Sequence, residues 1–153
     1  MKHDYIDFLP VESISLIQKW VAEIDVVIKV VKARKTKLGD FRYSYHSKCI
    51  ITINDDLNPF SFLITLTHEI AHAFVYKEFK GCVAPHGKEW KDVFKALMLN
   101  FLPKNIFPND IIIALSIHLV KPSASSCNDF DLSLALKKYD KIKKLNISDV
   151  KLG

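Results

Sequence analysis

The sequence predicts an α+β domain, a small three-stranded sheet packed on helices. Three observations carry this expectation. Residues 26–31, Val-Val-Ile-Lys-Val-Val, are almost wholly β-branched, which suits a buried pleated strand better than a helix. Two further extended stretches, 41–46 and 49–54, are separated only by Ser47-Lys48, a connection fit for a hairpin. Apolar residues then recur at helical spacing, most clearly Trp90, Val93, Phe94, Leu97, Met98 and Phe101, which would form one buried stripe.

Taken in order, Pro10 suits the first turn of a helix running to about Ile24, with Ile14, Ile17, Trp20, Val21 and Ile24 facing the core. The strand over 26–31 follows, and then a basic turn, Arg34-Lys35-Thr36-Lys37-Leu38-Gly39-Asp40. After the hairpin, Asn58-Pro59 opens a helix, with Asn as cap and Pro at the first helical position. Gly81 closes it where a left-handed residue is wanted. The Trp90 helix begins after His86-Gly87, and Pro103 and Pro108 punctuate its exit. Asn109 or Asp110 is expected to cap a short helix to about Leu119, and Leu132–Tyr139 reads as a weaker helical segment. No repeats occur, and no element is assigned from about Asn146 onward.

Composition bounds the function. With 49% hydrophobic and 11% aromatic residues in 153, the chain can bury a core as a single domain. Its 22 Lys+Arg against 17 Asp+Glu give a net charge of +5, which permits a polyanionic partner without demanding one. Cys49, Cys82 and Cys127 are scattered and form no CxxC pair, so a reducing, cytoplasmic location is expected rather than a disulfide framework. The N-terminus lacks the apolar core of a signal peptide. The longest apolar stretch, 111–120, is interrupted by Ser116 and His118 and is too short to span a bilayer, so no membrane association is expected.

The chemistry concentrates in residues 68–72, His-Glu-Ile-Ala-His, inside the Asn58-capped helix. Histidines four apart share one helix face, close enough to hold one zinc ion. Glu69 is turned aside and can reach a water rather than the metal, as a general base requires. A catalytic zinc takes three protein ligands and keeps one open position. His86, fourteen residues after His72, is the expected third ligand. Glu89 is the runner-up, and Glu78 and Cys82 are less suited. A structural zinc site without turnover would leave Glu69 with no task. The strand over 50–54 is expected to line the cleft and pair with an extended substrate. Tyr43, Tyr45 and Tyr76 are candidates for steadying the oxyanion. His46 and His118 have no ligand-spaced partner and read as ordinary surface or core residues, and His3 falls in a terminus expected to fray.

Together these residues resemble the SprT-like family of zinc metalloproteases. The likeness lies in the Lys37-Leu38-Gly39 turn with Arg42, the Ile51-Thr52-Ile53-Asn54 strand, the 66–73 stretch Leu-Thr-His-Glu-Ile-Ala-His-Ala, and His86-Gly87-Lys88-Glu89-Trp90. It covers roughly residues 10 to 100 and is closest to small bacterial members. The resemblance implies a zincin-like (minigluzincin-type) fold with an open groove. It also implies a single catalytic zinc ion (Zn2+) on His68, His72 and His86, with Glu69 as catalyst. In Spartan-like members the substrates are proteins trapped on DNA, and DNA stimulates cleavage. Residues 1–102 would be the protease core and 103–153 a helical extension; with only Cys127 downstream, no zinc ribbon is expected in this chain. The protein is expected to act as a monomer on protein substrates.

A DNA contact, single-stranded or damaged, would draw on Arg34, Lys35, Lys37, Arg42 and Tyr43, where basic groups interleave with aromatics. The plain alternative is a solvated face around core aromatics. A second basic cluster comprises Lys137, Lys138, Lys141, Lys143 and Lys144. The competing function is a DNA-binding or regulatory module that keeps the metal fold without proteolysis.

Overall fold

The computed structural model describes residues 4–44, 46–121 and 129–141. Of the residues singled out above, His3, Tyr45, Cys127, Lys143 and Lys144 lie outside the described residues, as does the stretch from Asn146 onward. Among the described residues, five α-helices and three strands run in the order α1 (Ile14–Ile24), β1 (Val26–Val31), β2 (Gly39–Arg42), β3 (Cys49–Asn54), α2 (Pro59–Phe79), α3 (Lys88–Leu99), α4 (Asn109–Val120) and α5 (Phe130–Lys137). Among the described residues no helix is long and apolar enough to cross a membrane.

The expected three-stranded sheet forms in the order β1-β3-β2, with β1 parallel and β2 antiparallel to β3. The register aligns Ile28, Ile51 and Phe41 in one row and Val30, Ile53 and Gly39 in the next. Alternation puts both rows on the inner face, where Ile51 and Ile53 are fully buried. β1, expected as a buried strand, is an outer strand of the sheet, and Val27 is 37% exposed on its far side. β2 ends at Arg42 rather than His46, so the connection to β3 spans 43–48 and not Ser47-Lys48 alone. Just past the strand, the Tyr43 ring stacks on Tyr76 of α2, at 4.6 Å between centroids.

Asn54, at the end of β3, ties down the β1–β2 crossing. Its Nδ2 donates to the carbonyls of Lys37 (2.7 Å) and Arg34 (3.2 Å), while its Oδ1 accepts from Arg34 Nε at 2.9 Å.

α2 forms as its end signals demand. Asn58 Oδ1 accepts the Ser61 N–H at 2.9 Å with Pro59 in the first turn. At the other end Gly81 is left-handed (φ 82°) as expected, but Lys80 (φ 54°), one residue earlier, is the cap itself. Phe62, Leu63, Ile64 and Leu66 are all buried, so α2 is enclosed on every side rather than lying on the surface. Trp90, Phe94 and Met98 of α3 pack into the same core, each side chain contributing roughly 1.5–3 kcal/mol by leaving water.

Two later expectations change. Pro108, not Asn109 or Asp110, is the N-cap of α4, and no side chain caps it. α5 starts two residues earlier than expected because Asp129 caps it through Leu132 N–H at 3.0 Å.

Candidate metal centre and cleft

His68 and His72 stand one turn apart on α2, and His86 returns from the α2–α3 loop to meet them. His86 Nε2 lies 3.0 Å from His72 Nε2 and 3.2 Å from His68 Nε2. The three are the only cluster among the described residues able to hold a metal ion. Glu89, Glu78 and Cys82, the other ligand candidates, do not join it.

The spacing fits a metal better than a hydrogen-bonded trio. His86 Nε2 has one proton at most, so it cannot donate to both neighbours. Three nitrogens each about 2.0–2.1 Å from a tetrahedral zinc would stand roughly 3.3 Å apart, close to the separations seen. The rings are also kept neutral, the state a metal requires. Burial, then the neighbouring His72 and His86, lowers His68 from 6.5 to about 3, and burial lowers His72 to about 4. His86 is lowered too, by burial and then by Lys91.

Trp90 supports all three rings. Its indole lies 4.6 Å from His68, 4.8 Å from His86 and 5.4 Å from His72, stacked on the last at 24°. Its Nε1 donates to the His68 carbonyl at 3.2 Å, and it is fully buried. Trp90, expected both on the buried stripe of its helix and as part of the His86-Gly87 motif, is also the plate under the triad.

Glu69 points off the ligand face, buried to 6% exposure, with Oε1 3.9 Å from His68 Nε2. Burial, with Asp40 adding, raises its carboxyl to about 8, while Arg34 and Lys37 pull the other way. Its neighbour across the cleft is Gly39 of β2. A Cβ at Gly39 would come within 2.9 Å of Thr65 Cγ2, 3.0 Å of Ile53 Cδ1 and 3.2 Å of Glu69 Cγ. Only a bare glycine lets β2 close on α2 beside the carboxyl.

The cleft, about 430 Å³, is lined by Gly39, Asp40, Phe41, Tyr43, the three histidines and Glu69, among others. β3 was expected to form its wall. β3 is instead the central strand, paired on both edges, and β2 is the strand at the rim. Of the three tyrosines considered for the oxyanion, Tyr43 lines the cleft and is 53% exposed, whereas Tyr76 stacks behind it. His118, read as ordinary, is buried and lines the cleft as well.

The basic residues proposed for nucleic acid do not form one free patch. Arg34 binds Thr52 Oγ1 and Asn54 Oδ1, each at 2.9 Å. Lys37 and Arg42 converge on Asp40 Oδ2 at 3.5 and 2.8 Å. Tyr43 is drawn to Tyr76, and Lys35 is exposed on the loop. In the second cluster, Lys138 pairs with Asp110 at 3.6 Å.

A model of the SprT-like family matches residues 15–108. Protein SprT of Enterobacter sp. (strain 638) is 58% identical over 31 residues, which are 20% of this chain and 18% of that protein. The match therefore spans less than a fifth of that relative's length. No solved structure matches the chain significantly.

Proposed function

Because this chain belongs to the SprT-like family, we propose that it is a zinc-dependent endopeptidase of zincin-like fold that cuts peptide bonds in proteins. One observation carries the reading: three neutral imidazoles converge beside a buried carboxyl raised to about 8. His68, His72 and His86 would hold the ion. A bound zinc supplies Lewis acidity and brings the pKa of water toward about 7.

The rest falls to the chain's own groups. Glu69 takes the proton of the attacking water and returns it to the leaving nitrogen. The free edge of β2 would pair with an extended peptide and lay the scissile bond across the triad. Tyr43, which lines the same cleft, would donate toward the developing oxyanion.

Proteins bound or crosslinked to DNA are the substrates the family likeness suggests. A DNA-binding module without turnover has weaker support, since Arg34, Lys37 and Arg42 are already engaged within the fold. The test is to measure bound metal, then compare wild type with Glu69→Gln on a DNA-binding protein, with and without single-stranded DNA. We expect both proteins to carry one zinc and only wild type to cut. Wild-type cleavage no greater than the mutant's in every condition refutes the peptidase reading.

A further inference from the structure

His118 is a buried titratable group that the proposed chemistry leaves unused. It is 3% exposed on α4, and its Nδ1 lies 2.9 Å from Asp129 Oδ2. Burial would raise the Asp129 carboxyl, but the Leu132 N–H and the His118 ring outweigh it and hold it below its ordinary range. An ionised carboxylate can only accept, so Nδ1 donates to Asp129 and Nε2 is the ring nitrogen left for a ligand. Among the described residues Nε2 has no hydrogen-bond partner, yet His118 lines the cleft. A ring nitrogen of a cleft-lining side chain that has no protein partner is open to one from a ligand.

The neighbours are buried, and all but Thr65 are apolar. Ile64 and Thr65 on α2 and Phe94 on α3 line the same cleft, each no more than 6% exposed. The Phe94 ring lies 5.8 Å from that of His68 and 6.3 Å from that of His118, so it links the ligand triad to this histidine. Asp129 anchors the arrangement from behind by capping α5 with its other oxygen.

We propose that Ile64, Thr65, Phe94 and His118 form a specificity pocket for one substrate side chain with an apolar body and a hydrogen-bond-donating tip, such as tyrosine or lysine, His118 Nε2 being the acceptor. The pocket rests on the peptidase reading for its peptide ligand. Apolar walls alone would discriminate weakly between isosteres, whereas a buried acceptor rejects the analogue that leaves it unpaired.

The test uses zinc-loaded Glu69→Gln protein, which should bind peptide without cutting it. Acetyl-Ala-Tyr-amide is compared with its Phe counterpart, and the Lys peptide with its norleucine counterpart. The donor-tipped member of each pair should bind about tenfold tighter, and its binding should shift the His118 Nε2 resonance. Adding His118→Phe should erase both preferences. His118→Gln, which keeps a donor toward Asp129 and an acceptor for the ligand, should restore part of them. Equal affinities within each pair, an unmoved Nε2 resonance, no binding of any peptide, or an unchanged preference in folded His118→Phe protein would each overturn the pocket. Selective binding without cleavage of longer peptides by the Glu69-intact protein would sink the peptidase reading and leave the pocket standing.

Discussion

Gly39→Ala is the sharpest probe of how β2 and α2 assemble the site. Carbon atoms pack at about 3.5–4.0 Å. The new methyl would stand 2.9 Å from Thr65 Cγ2, 3.0 Å from Ile53 Cδ1 and 3.2 Å from Glu69 Cγ. None of the three can retreat into water, since Thr65 and Glu69 are 6% exposed and Ile53 is fully buried. Thr65 is also stiff at χ1. Overpacking of this kind costs about 1–3 kcal/mol, which at this chain length lowers Tm by roughly 2–12 °C. The strand must move off the helix or Glu69 must shift by a few tenths of an ångström. Because a misplacement of about 1 Å can cost about a hundredfold, a drop in kcat of about three- to tenfold is expected, with zinc content unchanged. Thermal unfolding by circular dichroism and peptide turnover read the two effects. Thr65→Ser removes the nearest clashing carbon and should recover part of both in the double variant. A Gly39→Ala protein with wild-type Tm and wild-type kcat would refute the close-approach argument.

Three further outcomes follow from the same geometry. His86→Ala should weaken zinc binding by about a hundredfold or more while Glu89→Ala leaves it near wild type, as read by chelator competition; the reverse order would move the third ligand to Glu89. Trp90→Phe keeps a ring under the triad but loses the donor to the His68 carbonyl, so zinc affinity should fall about tenfold with about 1–3 kcal/mol of stability; unchanged values would make the indole a plain core residue. In metal-free protein, burial holds His68 at about 3 and His72 at about 4 against an ordinary 6.5. Two histidines then take up protons on unfolding below 6.5 while Glu69, raised to about 8, releases one, so stability should fall as pH drops from about 6.5 toward 4 in wild type and more steeply in Glu69→Gln. Urea midpoints at pH 7 and pH 5 that coincide would contradict it.

What the sequence made legible was local chemistry. Asn58-Pro59 and the left-handed end at Gly81 bound α2 because caps act within a few residues. The His68–His72 spacing places both rings on one face for the same reason. His86 needed one guess about a loop return, and the 14-residue separation allowed it. Strand order was not legible. A run of β-branched residues looks the same at the edge and the centre of a sheet, so nothing local says that β3 is flanked by β1 and β2. Nor does any local pattern join Tyr43, just past the early end of β2, to Tyr76, thirty-three residues beyond it. The partners of the basic residues were not legible either: Arg34 bonds Thr52 and Asn54, and Lys37 and Arg42 meet Asp40 while staying exposed. His118 escaped because its partner, Asp129, sits on another helix and no spacing rule joins them.

The enclosure of α2 ties precision in the site to stability in the core. The helix is held on one side by the sheet, through Ile53 and the bare Gly39, and on another by α3, through Trp90 and Phe94. Thr65, His68, Glu69 and His72 project from the turns of α2 gripped between those supports. A close-packed interior responds to volume change by shifting side chains rather than absorbing it. Substitutions that loosen Ile53, Phe94 or Trp90 therefore reach the histidines and Glu69 directly. Activity should decline ahead of global unfolding along such a series, because a displacement too small to unfold the chain is large on the scale of a proton transfer.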